Sequence, residues 1–137
     1  MSAQPWDFEQ ATANCRRAAI AQEGAEGSYL QASRDAASAE EAYRMALAVA
    51  IVEAHNDGVA WSTAPDLARG DATVAKLRRE RDIAEGVREA MQQALWRHVA
   101  NRKDAQRFAD WSQRREFAEA AGVFQPTYEE PIGVRAA

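Results

Sequence analysis

The chain has 137 residues, a formal net charge of −4 and 47% hydrophobic residues, yet only 8% are aromatic. That length bounds it to one domain, and an alanine-rich, aromatic-poor composition argues against a thick globular core and for helices meeting along narrow apolar seams. One cysteine, Cys15, excludes an internal disulfide framework and makes a reducing compartment the expected setting.

The first residues, MSAQPWDFEQ, lack the basic-then-apolar pattern of a secretory leader, so a cytoplasmic location is expected. The longest apolar run, Met45 to Val52, is too short to span a bilayer, and no membrane association is expected. Pro5 suits the first turn of an N-terminal helix that runs to about Glu23. The EGAEG segment at 23–27 then predicts a break, and Ser28 with Gln31 has the form of a capping box starting the next helix. From there Tyr29, Ala36, Tyr43 and Ala50 recur every seven residues, with Ala32, Ala39 and Ala46 between them and Leu47 and Ile51 widening the stripe. That periodicity predicts one long helix with a small-residue seam, stopping at HNDG, residues 55–58.

Residues 59–70 read as a connector. Thr63 can cap a short helical turn containing Pro65, and Gly70 is expected to end it in the left-handed conformation. Asp71 is then the N-cap of a second long helix reaching about Ala121, with a seam of Ala84, Val87, Met91, Ala94, His98, Ala105, Phe108 and Ser112. Arg69-Gly70-Asp71 spells an adhesion tripeptide of secreted proteins. Here the helix-stop and helix-cap roles explain it without adhesion. Pro126 and Pro131 make the segment after Gly122 an extended arm. The expected organisation is an N-terminal helix and linker (1–27), a long helical hairpin (28–121) and a C-terminal arm (122–137). Because such a hairpin leaves apolar seam uncovered, a homo-oligomer is expected.

Catalysis is not expected. His55 and His98 fall on different helices, and His98 lies within the apolar seam, where an interhelical packing role accounts for it. Glu53, His55 and Asp57 are two apart, and side chains at that spacing diverge by about 200° around a helix, so they make a poor metal set. Arg16 and Arg17 beside Cys15 would favour a thiolate, but no base or resolving cysteine accompanies it, and a plain structural thiol is the simpler reading. No phosphate-cradling glycine loop, G-x-S-x-G or H-E-x-x-H occurs, and no cofactor is implied.

Charge is unevenly distributed. Residues 1–75 carry 5 basic and 11 acidic side chains, residues 76–115 carry 11 and 6, and residues 116–137 carry 1 and 4. Within the basic segment, WRHVANRKDAQRFADWSQRRE (96–116) holds two tryptophans, one phenylalanine and six Lys/Arg side chains. At about 100° per residue, Lys103, Arg107 and Arg114 fall within about 20° of Trp96, whereas Val87, Ala94, Ala105 and Ser112 fall near the opposite side. Guanidinium groups contact phosphates and indole rings stack unpaired bases, so Trp96, Lys103, Arg107, Trp111, Arg114 and Arg115 are the candidate nucleic-acid contacts. The competing reading is a solvated face supported by Asp110–Arg114 and Arg107–Asp110 pairs, or a tryptophan face that packs on a protein.

The order AEEAYRMALAVAI (39–51), a glycine-containing connector, LARGDATVAKLRRERDIAEGVREA (67–90) and FADWSQRREFAE (108–119) resembles small all-helical bacteriophage proteins encoded beside DNA-recombination genes. More distantly it resembles the UvsY-type recombination mediators, over about residues 28–120. The resemblance implies a ring-like homo-oligomer that binds single-stranded DNA and helps load a recombinase in the host cytoplasm. In that family part of the DNA contact comes from a basic segment near the end of the first long helix. Here the place reads AIVEAHNDG, with no Lys or Arg, which moves any DNA contact to the Arg-rich second helix.

The sequence thus predicts an all-α, oligomeric hairpin acting as a non-enzymatic, single-stranded-DNA-binding recombination accessory. The alternative is a protein-interaction or structural module for virion assembly or host-factor capture, using its helix seams and the PTYEEPIGV arm.

Overall fold

The computed structural model describes residues 8–122. Three helices account for almost all of them: α1 (Phe8–Asn56), α2 (Ala64–Arg69) and α3 (Ala72–Ala120). No strand occurs among the described residues. The C-terminal arm, with Pro126 and Pro131, and Pro5 at the start lie outside them.

The chain forms two compact units. One is Glu26–Ala94; the other contains the described residues up to Ala25 and from Leu95 onward. In the first, the second half of α1 and the first half of α3 lie antiparallel and α2 bridges their ends. Its buried side chains are almost all small: Ala32, Ala36, Ala54, Ala64, Ala68 and Val74, with Tyr43 as the one large ring. Alanine on both faces lets the backbones approach closely but buries little area per residue. The second unit repeats the arrangement with Ala11, Ala109 and Ser112 buried, and Arg102 on α3 reaches Gln22 on α1 at 3.5 Å.

The expected break at 23–27 is absent, and with it the separate N-terminal helix: α1 passes through Gly24 and Gly27 without interruption. Ser28 is therefore a mid-helix residue and not a cap. The physical reason lies in the seam. Ala11, Cys15, Ala18, Gln22, Ala25, Tyr29, Ala32 and Ala36 are all at least half-buried, and their spacing alternates strictly between three and four. Both glycines fall off that line. Each costs about 1 kcal/mol of helix propensity, and keeping the seam in phase outweighs the cost.

The HNDG stop is real. Gly58 has φ +98, its N–H donates to the His55 carbonyl, and the Val59 N–H donates to the Ala54 carbonyl, each at 3.0 Å. Those two bonds are the Schellman pair, which satisfies carbonyls orphaned at a helix end. At the other side of the connector Gly70 departs from expectation. Its φ is −81, in the right-handed region, because α2 runs almost directly into the next cap through bonds from Gly70 N–H to Leu67 O and from Asp71 N–H to Ala68 O. Thr63 occupies the N-cap position of α2 but makes no side-chain cap bond. Asp71 does cap α3, accepting from the N–H groups of Thr73 at 3.0 Å and Val74 at 3.2 Å. The tripeptide 69–71 is thus explained by helix ends, with Arg69 paired to Asp66 at 3.0 Å.

The expected α3 seam is largely seen: Ala84, Met91, Ala94, His98, Ala105 and Phe108 are half-buried and Ser112 is buried, while Val87 is 44% exposed. Val87 lies about 60° off the line set by Ala84 and Met91, which leaves it on the rim. No helix among the described residues is long and apolar enough to cross a membrane.

Candidate nucleic-acid interface

The last 26 residues of α3, from Leu95 onward, belong to one unit, so their faces can be compared directly. Trp96 is 57% exposed, and Lys103, Arg107 and Arg114 are all exposed. They share one face at helical spacing, opposite a face on which Ala105 is half-buried and Ala109 and Ser112 are buried. The division of this segment into a cationic side and a packing side is therefore present in three dimensions.

Trp111 and Arg115 do not join that face. Both are half-buried. The Arg115 guanidinium lies 5.6 Å from the Trp111 ring centre and bonds Glu119 at 3.0 Å, and the Phe108 ring is 6.0 Å from the indole. These side chains make a cluster of their own beside the stripe. Stacking of this kind fixes the indole and shields one of its faces.

The helix-surface ion pairs that would neutralise the stripe do not form. Asp110 accepts from Gln106 at 3.0 Å, and Arg114 donates to the Asp110 backbone carbonyl at 3.3 Å. Among the described residues neither Lys103 nor Arg107 has a carboxylate within 4.0 Å. Two like charges one turn apart repel by a few tenths of a kcal/mol, and that cost is left standing. Asp110, about 40° from Trp96 on the helical projection, also lies on this face. The pairs expected for it, with Arg107 and with Arg114, are not made by its carboxylate.

Cys15 sits on α1 in the same unit. Its thiol is pushed above the ordinary range by burial first, then by the Asp110 carboxylate, with Arg102 opposing. The neighbouring Arg16 and Arg17 do not make it a thiolate, because their side chains are exposed while the sulfur is half-buried against α3.

His98 is half-buried at the seam. His55 lies in the other unit, where its ring stacks on Trp61 with centres 3.7 Å apart and planes at 17°, and its Nδ1 is 3.1 Å from the Val59 carbonyl. This stack ties the connector to the end of α1. Among the described residues no group of three or more His, Cys, Asp or Glu is placed to hold a metal ion.

No protein-family model matches the chain, and neither does any curated protein or solved structure.

Proposed function

We propose that the protein is a non-enzymatic DNA-binding accessory that holds single-stranded DNA along the exposed α3 face of Trp96, Lys103, Arg107 and Arg114. One observation carries this reading: Lys103 and Arg107 stand one turn apart, exposed and without a carboxylate partner among the described residues, on the same face as a tryptophan that is 57% exposed. A phosphate backbone relieves the repulsion between the two cations, and the indole offers a plane to an unpaired base. Trp111 and Arg115 flank the site as a braced cluster. The recombination setting, a recombinase partner and a cytoplasmic location in a phage-infected host follow from the resemblance of residues 28–120 to phage mediators.

Fluorescence anisotropy with labelled oligo-dT at low salt tests the proposal. A titration that saturates at protein concentrations on the order of 10 µM, the range of non-specific electrostatic binding, supports it. A flat titration to well above that concentration contradicts it.

A second reading, a protein-interaction module, is favoured by Met45, Val49 and Val52. They are 63%, 56% and 48% exposed and lie at i, i+4 and i+7 on α1. An apolar stripe of that kind is the usual mark of a protein partner. Replacing Met45 and Val49 with Glu would remove a stoichiometric co-purifying partner under this reading and leave oligo-dT binding intact.

A further inference from the structure

Two features of the chain remain unused by the proposed DNA face. The first is a groove of about 230 Å³ in the Glu26–Ala94 unit. Its lining is largely apolar, from Ala32, Ile83, Ala84 and Val87, and each helix contributes one carboxylate, Asp35 from α1 and Glu80 from α3. Ile83 is 60% exposed at its edge. Asp35 accepts a hydrogen bond from Gln31 at 2.9 Å, but among the described residues neither carboxylate has a cation within 4.0 Å.

The second feature lies on α1 in the other unit. Ile20 is 70% exposed. One turn before it stand Arg16 and Arg17, both exposed, which project about 40° to one side of Ile20 and about 60° to the other. Arg17 donates to Asn14, and neither arginine has a carboxylate within 4.0 Å among the described residues. One turn after Ile20, on the same face, is Gly24, where an added Cβ would meet nothing within 4 Å. A glycine that weakens its own helix and fills no contact within the chain leaves bare backbone for another molecule to approach.

The two surfaces are complementary. One is an apolar groove with an uncompensated carboxylate from each of its two helices; the other is an apolar knob flanked by two uncompensated guanidinium groups. The bulk charges agree, since Glu26–Ala94 holds 12 acidic and 8 basic side chains, whereas the described residues of the other unit hold 6 and 8. We infer that the Arg16–Arg17–Ile20–Gly24 face of one copy docks into the Asp35/Glu80 groove of a second copy. Ile20 fills the groove, the arginines pair with its carboxylates, and Gly24 lets the helices close. The inference is independent of the DNA reading, because it uses none of Trp96, Lys103, Arg107 or Arg114.

Sedimentation velocity of the full chain over a range of concentrations tests it, with circular dichroism to verify folding. The wild type is expected to associate, less so as salt rises. Arg16→Glu with Arg17→Glu is expected to be monomeric, as is Asp35→Lys with Glu80→Lys, and mixing the two variants is expected to restore association. Gly24→Leu, which favours the helix but blocks close approach, is expected to keep or raise the melting temperature while weakening association at least tenfold. A wild type that stays monomeric at every concentration overturns the inference. So does a charge-reversed chain that associates as well as wild type, or a mixture of the two variants that stays monomeric. If Gly24→Leu loses helix content, the mixture decides the matter; if either charge variant does, Ile20→Ala, expected to weaken association without unfolding, decides it, and undiminished association in Ile20→Ala overturns the inference.

Discussion

The Arg81 guanidinium lies 4.5 Å above the centre of the Tyr43 ring and 3.5 Å from the Glu40 carboxylate. Arg81 is on α3 and the other two are on α1, so this contact sets the register between the helices of the Glu26–Ala94 unit. Asp82 pairs with the same guanidinium at 2.9 Å, and the pKa of Arg81 is raised above its ordinary value by the bond to Asp82, with burial opposing and the charges of Asp82, Glu40 and Glu85 adding to the rise. Tyr43 is the only large ring among the buried side chains of this alanine-lined seam. Tyr43→Ala is therefore expected to cost about 3 kcal/mol, within the range for removing a buried aromatic side chain. Arg81→Ala should cost clearly less, because its pairs are near the surface. Urea denaturation of the two variants checks the order; equal losses would mean that the ion pairs, and not the ring, hold the register.

Asp71 is the cap of α3, accepting from two of its first backbone N–H groups. Asp71→Ala is expected to destabilise by about 1 kcal/mol, and Asp71→Asn or Asp71→Ser to recover most of it. A thermal melt of the series reads this directly. An unchanged melting temperature in Asp71→Ala would show that the two N–H groups find other partners.

Ser112 is 1% exposed, and its hydroxyl has no hydrogen-bond partner among the described residues. An unpaired buried hydroxyl costs roughly 1–3 kcal/mol of desolvation. Ser112→Ala keeps the small volume the seam requires and is expected to be stabilising by about 1 kcal/mol. A loss of stability in chemical denaturation would show that the hydroxyl is satisfied in solution.

Cys15 gives a pH dependence with a defined sign. Burial raises its folded pKa above that of the unfolded thiol, so between the two values the folded chain holds a proton that the unfolded chain releases. The stabilisation is full below the unfolded thiol pKa and is lost as pH rises from there through the higher folded pKa. Alkylation of the native protein at neutral pH should accordingly be slower than that of a free thiol, and Cys15→Ala should flatten the alkaline decline in stability. Alkylation as fast in the native chain as in the urea-unfolded one would contradict this placement.

Much of the fold was legible in the sequence, because heptad spacing of small residues says directly which side of a helix faces another. Tyr29, Ala32, Ala36 and Tyr43 are buried or half-buried as that spacing requires, and Asp71 caps as its position implies. Gly24 and Gly27 misled because local propensity argues for a break, while the phase of the seam on both sides argues for continuity; the seam prevails when it runs unbroken. Gly70 misled because a right-handed turn into an immediate cap needs no left-handed residue. At the candidate site, the cationic face was readable from angles alone. That Trp111 and Arg115 turn toward Phe108 and Glu119 was not, since rotamer choice depends on neighbours around the turn and not on spacing.

The central claim is that three cations and one indole on α3 hold single-stranded DNA, and the salt dependence of oligo-dT binding tests it most directly. Lys103, Arg107 and Arg114 neutralising one phosphate each predict a log K against log salt slope of roughly −2 for a single strand. Arg107→Ala should make that slope shallower by about 0.7, and Trp96→Ala should weaken binding at every salt concentration without changing the slope. No measurable binding at low salt, or a slope that Arg107→Ala leaves unchanged, would contradict the account.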